Sequence, residues 1–189
     1  MRKVVLITGP QAVGKSTIGR LLARRLRAPS VSFDGDVLYR MVEVGNVDWT
    51  PESRPEAERQ VRLRYRAGAE LARLYTDHGF DFVLNDNVFG DDVTVWMERV
   101  AESEPVQRHL VVLNAEAETI AERELARSGG RTYRAWQQPG MDLVDAVRAF
   151  QAESVDVTPR RGLWLDTTDL SAEATVDAIV TDDLAAARY

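Results

Sequence analysis

Short, unbroken apolar runs alternate along this chain with longer segments whose apolar residues recur every three to four positions. The runs are Val4 to Thr8, Val31 to Phe33, Phe82 to Leu84, Leu110 to Leu113 and Leu163 to Leu165. A strand that is apolar at consecutive positions is one buried on both faces. Helical spacing marks Thr17 to Leu26, Glu56 to Thr76, Asp92 to Ala101, Ala117 to Ala126, Asp142 to Gln151 and Ala172 to Ala186. Strands alternating with helices in this way predict an α/β fold, a doubly wound parallel five-stranded sheet with helices on both faces and right-handed crossovers. At 189 residues the chain suits one domain, 1–189.

Two stretches break the alternation. Gly45 to Pro55 is polar, carries Pro51 and Pro55, and opens a long helix rich in arginine (Arg59, Arg62, Arg64, Arg66). Ser128 to Gly140 holds Gly129, Gly130, Pro139 and Gly140 together with Arg131 and Arg134. Both are expected to be moving parts.

The most specific signal lies directly after the first strand. Gly9 to Ser16 reads Gly-Pro-Gln-Ala-Val-Gly-Lys-Ser, a pattern of four fixed identities that chance places in only about 1% of chains of this length. A strand precedes it and an amphipathic helix follows, which is the context the phosphate-binding loop requires. Gly9 and Gly14 free the backbone to turn successive amides inward around phosphate oxygens, and the helix adds the positive end of its dipole. Gly9, Gln11, Ala12, Val13, Gly14, Lys15, Ser16 and Thr17 are therefore expected to bind a nucleoside triphosphate. Lys15 would meet the β- and γ-phosphates, and the Ser16 hydroxyl would complete the shell of a Mg²⁺. Only Lys3 and Lys15 are lysines in a chain whose other cations are arginines.

The second strand runs into Ser32-Phe33-Asp34-Gly35-Asp36, and ligands in such sheets sit at the carboxyl ends of the strands. Phosphoryl transfer to a hydroxyl is helped by a carboxylate that accepts its proton. Asp36 is the candidate base. Asp34 is a candidate for orienting the acceptor or for holding metal-bound water, and either aspartate suits a helix cap near Val37. Asp86, after the third strand, points to the same edge and is a second candidate metal ligand through water. Arg127 and Arg131 stand where a lid would swing onto the triphosphate and neutralise charge on the transferring group. Arg123 and Arg134 are secondary candidates.

These segments together resemble the small P-loop kinases, a group that includes shikimate, gluconate and adenylylsulfate kinases, with the chloramphenicol phosphotransferase-like members the nearest. The resemblance rests on the phosphate loop, on Phe33-Asp34-Gly35-Asp36, on Val83-Leu84-Asn85-Asp86-Asn87-Val88-Phe89, and on Ala121 to Arg131. It implies ATP and Mg²⁺ as cofactors, Asp36 as base toward an acceptor hydroxyl, Asp86 beside the phosphates, a substrate-cap segment over 39–75 and an arginine-bearing lid over 127–140. The acceptor is expected to be a small molecule, such as an antibiotic or another natural product. Trp49 and Trp136, in the two interrupting stretches, are candidates for lining its pocket, whereas Trp164, in a strand, is expected in the core. Arg40, Arg62 and Arg66 are candidates for meeting an anionic acceptor, against the plainer expectation of a salt-bridged face with Glu58 and Glu70. A nucleoside or nucleotide kinase is the nearest alternative, and a nucleotide-dependent switch or ATPase is a second.

Composition narrows the field. Cysteine is absent, which removes disulfides and thiolate metal sites. His78 and His109 have no metal-ligand spacing between them. The net charge of -6 lacks the basic footprint of a nucleic-acid binder. No apolar run approaches a membrane span, and the N-terminal stretch lacks the features of a secretion signal. A cytoplasmic protein with no nucleic-acid or membrane partner is the expectation.

Overall fold

All five strands form in the computed structural model, which describes residues 1–47, 53–102, 105–127 and 132–189. They are β1 (Arg2–Thr8), β2 (Ser30–Asp34), β3 (Asp81–Asn85), β4 (Val106–Asn114) and β5 (Leu163–Asp166). The sheet is parallel in the order β2-β3-β1-β4-β5, and Val5 lies opposite Val83 on one side and His109 on the other.

Alternate residues of each central strand feed different cores. Val5, Ile7, Val111 and Leu113 pack against α1 (Lys15–Arg25), α5 (Ala117–Ala126), α6 (Leu143–Phe150) and α7 (Ala172–Val180). Val4, Leu6, Leu110 and Val112 pack against α3 (Arg54–Asp77) and α4 (Asp91–Val100) on the other face. The near-continuous apolar runs are explained by this two-sided burial. Because every strand points the same way, the loop after β1, the short helix α2 (Asp36–Arg40) after β2 and the turn after β3 emerge along one edge.

Two expectations need correction. The helix expected to run from Ala172 to Ala186 stops at Val180, and Asp182, Asp183 and Leu184 adopt left-handed backbone with φ of 48, 56 and 64°. Tertiary contacts explain the break. Leu184 is buried, the Asp183 carboxylate takes the Lys3 ammonium at 2.7 Å, and the Tyr189 amide donates to the Arg108 carbonyl at 2.9 Å. Trp164 is on a strand, as expected, but β5 is an edge. Its ring is half-buried and carries the Arg160 guanidinium 3.9 Å from its centroid. Among the described residues, no helix is long and apolar enough to cross a membrane.

Candidate functional site

The loop between β1 and α1 is held open by its backbone. Gly9 has φ 146°, and a Cβ there would lie 2.2 Å from the Leu113 carbonyl oxygen, so only glycine fits. Ala12 and Gly14 are also left-handed, with φ 65° and 105°. Tyr133, almost fully buried, donates its hydroxyl to the Gln11 carbonyl at 2.8 Å and braces the loop from outside. The first turn of α1 has no acidic residue to oppose an anion at its amides.

Lys15 is 8% exposed, and its Nζ donates to the Gly9 and Pro10 carbonyls at 2.7 and 2.8 Å. Burial pushes its ammonium down to about 8, and nearby Arg127 pushes the same way, against Asp36, Asp86 and Asp34. The three carboxylates are held differently. Asp34 accepts from the Ser16 hydroxyl at 2.8 Å and from the Asp36 amide at 3.1 Å, so it holds the first amide of α2 and ties β2 to the phosphate loop at once. Asp86 is 4% exposed, accepts from the Asn87 amide at 2.7 Å and pairs with the Arg64 guanidinium through two contacts at 3.2 Å. Burial raises the Asp86 carboxyl above its ordinary range in spite of Arg64. Asp36 is half-buried at the first position of α2.

These groups share one cleft of ≈ 270 Å³, lined by Gln11, Ala12, Gly14, Lys15, Ser16, Thr17, Asp34, Asp36, Asn85, Asp86, Asn87 and Arg127. Most of the residues singled out from the sequence are thus brought together. Val13 instead turns its side chain into the core, and Gly9 underlies the loop, offering its carbonyl to Lys15. Arg131, Trp49 and the start of the glycine-rich stretch lie outside the described residues. Arg123 is set apart from the cleft. It donates to the Thr167 carbonyl at 2.8 Å and the Thr168 carbonyl at 3.3 Å, and so pins the turn after β5.

Hard oxygen donors fit a magnesium ion here: the Ser16 hydroxyl with Asp34 against it, and the Asp86 carboxylate. Among the described residues no three ligating side chains converge into a closed cage. Mg²⁺ keeps waters and is commonly held by one or two carboxylates together with substrate phosphates.

A second cleft of ≈ 330 Å³ adjoins the first through Asn87. Tyr65, Phe89, Trp136 and Phe150 supply its ring faces, with Arg54, Arg62, Arg64, Glu58, Asp92 and Glu153 among its charged groups. Trp136 lines this cleft. Arg62 also reaches this cleft but pairs with Glu58 at 3.7 Å, in keeping with the plainer expectation of a salt-bridged face. Arg66 and Arg40 do not line it.

Sequence reasoning passed over Arg64, Asn85, Asn87 and Tyr133. Arg64 was legible in principle: Ala57, Val61, Arg64, Gly68 and Ala72 follow one helical stripe, and an arginine on an otherwise apolar stripe needs a buried partner. Asn85 ends β3 and donates to the Ser16 hydroxyl at 3.2 Å. Only strand register reveals that contact.

Comparisons agree with this fold. A shikimate kinase from Bacteroides thetaiotaomicron superposes with a TM-score of 0.62 at 18% identity, covering 94% of this chain and 96% of that one. The tunicamycin resistance protein of Deinococcus radiodurans gives 0.59 at 16% identity, covering 95% and 94%. Among curated sequences, tRNA dimethylallyltransferase of Gloeobacter violaceus is 38% identical over 87 residues, 39% of this chain. The chain covers only 29% of that protein's length. The small P-loop kinase fold is thereby shown. A family model described as AAA domain matches residues 4–151, and the chain belongs to that family.

Proposed function

We propose that the protein moves the γ-phosphoryl group of ATP to a hydroxyl of a small molecule, with Asp36 as general base. The observation that carries the reading is the shared wall at Asn87: the cleft holding Lys15, Ser16, Asp34, Asp36, Asp86 and Arg127 has that residue in common with a second cleft lined by aromatic rings. A donor site and an acceptor site side by side are what phosphoryl transfer needs. The kinase fold of the solved neighbours is compatible with it.

ATP with Mg²⁺ supplies the electrophilic phosphorus and its leaving group. The chain supplies the rest. Amides from Gly9 to Thr17 and the Lys15 ammonium hold the phosphates, and Ser16 and Asp86 hold the metal, directly or through water. Asp36 accepts the acceptor's proton as the oxygen–phosphorus bond forms and the bond to the departing ADP breaks. Arg127, half-exposed and paired to Glu124 at 3.3 Å, stands at the cleft where negative charge grows. Residues 127–140 act as a lid that excludes water and brings Arg131 to the same charge, and 39–75 acts as the acceptor's cap.

The test is ADP release measured over a panel of hydroxylated metabolites and antibiotics, with the product's mass determined. An acceptor should stimulate release, and Asp36→Asn should lower turnover by about 10²- to 10⁴-fold while leaving ATP affinity intact. Slow release indifferent to every acceptor would point to a switch or simple ATPase. Full turnover in Asp36→Asn would remove Asp36 as base.

A further inference from the structure

A loop that receives phosphate has to aim its amides, and one peptide of this loop is held from behind. Val13 donates its amide to the Pro10 carbonyl at 3.4 Å, closing a turn over 10–13. Ala12, third in that turn, has φ 65°, whereas Gln11 before it is not left-handed. A positive φ at the third position alone marks a type II turn, which favours glycine there. A type I turn keeps φ negative at both central positions and suits alanine better. The two types differ by a flip of the central peptide, here the one joining Gln11 to Ala12. Alanine by itself does not select the conformation seen.

Tyr133 supplies the selection. Its side chain is almost fully buried, edge-on to the Phe150 ring at 5.6 Å, and its hydroxyl donates to the Gln11 carbonyl at 2.8 Å. Burial, with the Glu124 carboxylate beside it, raises the phenol above its ordinary range, so the group stays a donor. In a planar trans peptide the carbonyl and the N–H point opposite ways. Tyr133 does not line the phosphate cleft and Ala12 does. Holding the Gln11 carbonyl therefore turns the Ala12 amide away from Tyr133 and toward the cleft. That amide has no hydrogen-bond partner among the described residues.

Resting on the nucleotide-binding part of the reading above and independent of the acceptor, we propose that Tyr133 is a positioning residue. By fixing the Gln11–Ala12 peptide it presents the Ala12 amide to the phosphate chain of the nucleotide.

Calorimetry with ADP and Mg²⁺, and with inorganic pyrophosphate and Mg²⁺, tests this on wild type, Tyr133→Phe, Ala12→Gly and the double variant. Tyr133→Phe keeps the ring and removes the donor, and should weaken both ligands about three- to tenfold, as for one hydrogen bond. Glycine takes a positive φ at no steric cost. Ala12→Gly should accordingly improve binding by about threefold or more in the Tyr133→Phe background relative to its effect in wild type. General loosening of the fold would not depend on residue 12 in this way. In wild type the Ala12 amide proton should move downfield in NMR spectra as pyrophosphate is added, a readout that needs neither variant to fold. Tyr133→Phe binding as tightly as wild type, an Ala12→Gly effect equal in both backgrounds, or an unmoved Ala12 amide in wild type that binds would overturn the proposal and leave the nucleotide site intact. Wild type that binds neither ligand would remove the nucleotide reading, and this role of Tyr133 with it.

Discussion

The Ser16 hydroxyl donates to Asp34 Oδ2 at 2.8 Å, joining the first turn of α1 to the end of β2. This contact ties Asp34 to the phosphate loop, and Asp36, two residues on, lines the same cleft without that tie. Ser16→Ala removes a partner of Asp34 and, on the proposed mechanism, a donor to the metal. The variant should lose about 10- to 100-fold in ATP affinity when Mg²⁺ is present, as for loss of a hydrogen bond to a charged group, and almost none in EDTA. Titration of a fluorescent ATP analogue under both conditions gives the comparison, and equal losses would detach Ser16 from the metal.

Gly35 and Gly14 are both needed, for different reasons. Gly35 has ordinary helical backbone, φ -59°, but a Cβ there would lie 2.2 Å from Asp86 Cγ. A Cβ on Gly14 would meet nothing within 4 Å, yet the backbone there has φ 105°. Gly35→Ala must push Asp86 off Arg64, and should cost about 1–3 kcal/mol of stability, the range for forcing extra volume into a packed site. Gly14→Ala should act through backbone strain of about 1–3 kcal/mol. Urea unfolding of the two variants, with ATP affinity alongside, separates them, since only Gly35→Ala disturbs the Arg64–Asp86 pair.

Lys15 gives a dependence on pH. Its ammonium is lowered from 10.5 to about 8 by burial. The unfolded chain therefore binds more protons than the native one between those values, and this group's contribution to stability rises with pH across that window. Nucleotide binding runs the other way. Triphosphate favours the charged amine, so affinity should fall above about pH 8, by up to about tenfold per pH unit, with net proton uptake seen by calorimetry in buffers of different ionisation enthalpy. Lys15→Arg, which stays charged, should abolish the uptake. Uptake that persists in that variant would assign it to another group.

The fold was legible because two-sided burial writes itself into β1, β3 and β4 as unbroken apolar runs, and the phosphate loop because its backbone demands Gly9 and Gly14 at fixed spacing. Tertiary geometry accounts for what escaped. Nothing local stops the last helix at Val180: the cause is the burial of Leu184 and the grip of Lys3 on Asp183, 180 residues away in sequence. Asn85 and Arg64 join the site only through strand register and the seating of α3 on the sheet. Arg123 was a secondary candidate beside Arg127 on one helix end, and the four residues between them turn a side chain from the turn after β5 to the cleft.

That difference is measurable. Arg123→Ala deprives the Thr167 and Thr168 carbonyls of their donor, and should cost about 1–2 kcal/mol of stability. Arg127→Ala takes a half-exposed partner from the buried Glu124 carboxylate, costing about 1–3 kcal/mol, and should in addition lower kcat by about 10²- to 10³-fold. Thermal unfolding and steady-state kinetics on both variants make the test, and a kinetic defect confined to Arg123→Ala would reverse the assignment.

The Arg64–Asp86 pair links the arginine-rich helix to the phosphate cleft, with side chains 13% and 2% exposed. Breaking a buried pair leaves one charge without its partner, so Arg64→Ala should cost about 3–5 kcal/mol. The sign with pH follows from Asp86, whose carboxyl burial already raises and Arg64 lowers. A carboxyl raised in the native state makes the native protein the better proton binder, so stability falls as pH climbs out of the ordinary carboxylate range. Without Arg64 that rise is larger, and the deficit of Arg64→Ala should grow between pH 5 and pH 8. Adding Asp86→Asn removes the stranded charge and should restore about 1–3 kcal/mol, the coupling typical of neighbours in one network. Urea unfolding of both single variants and the double variant at the two pH values closes the cycle. A deficit independent of pH would mean that Arg64 acts through packing of its stem on α3, and that the ionic link between the two clefts carries no energy.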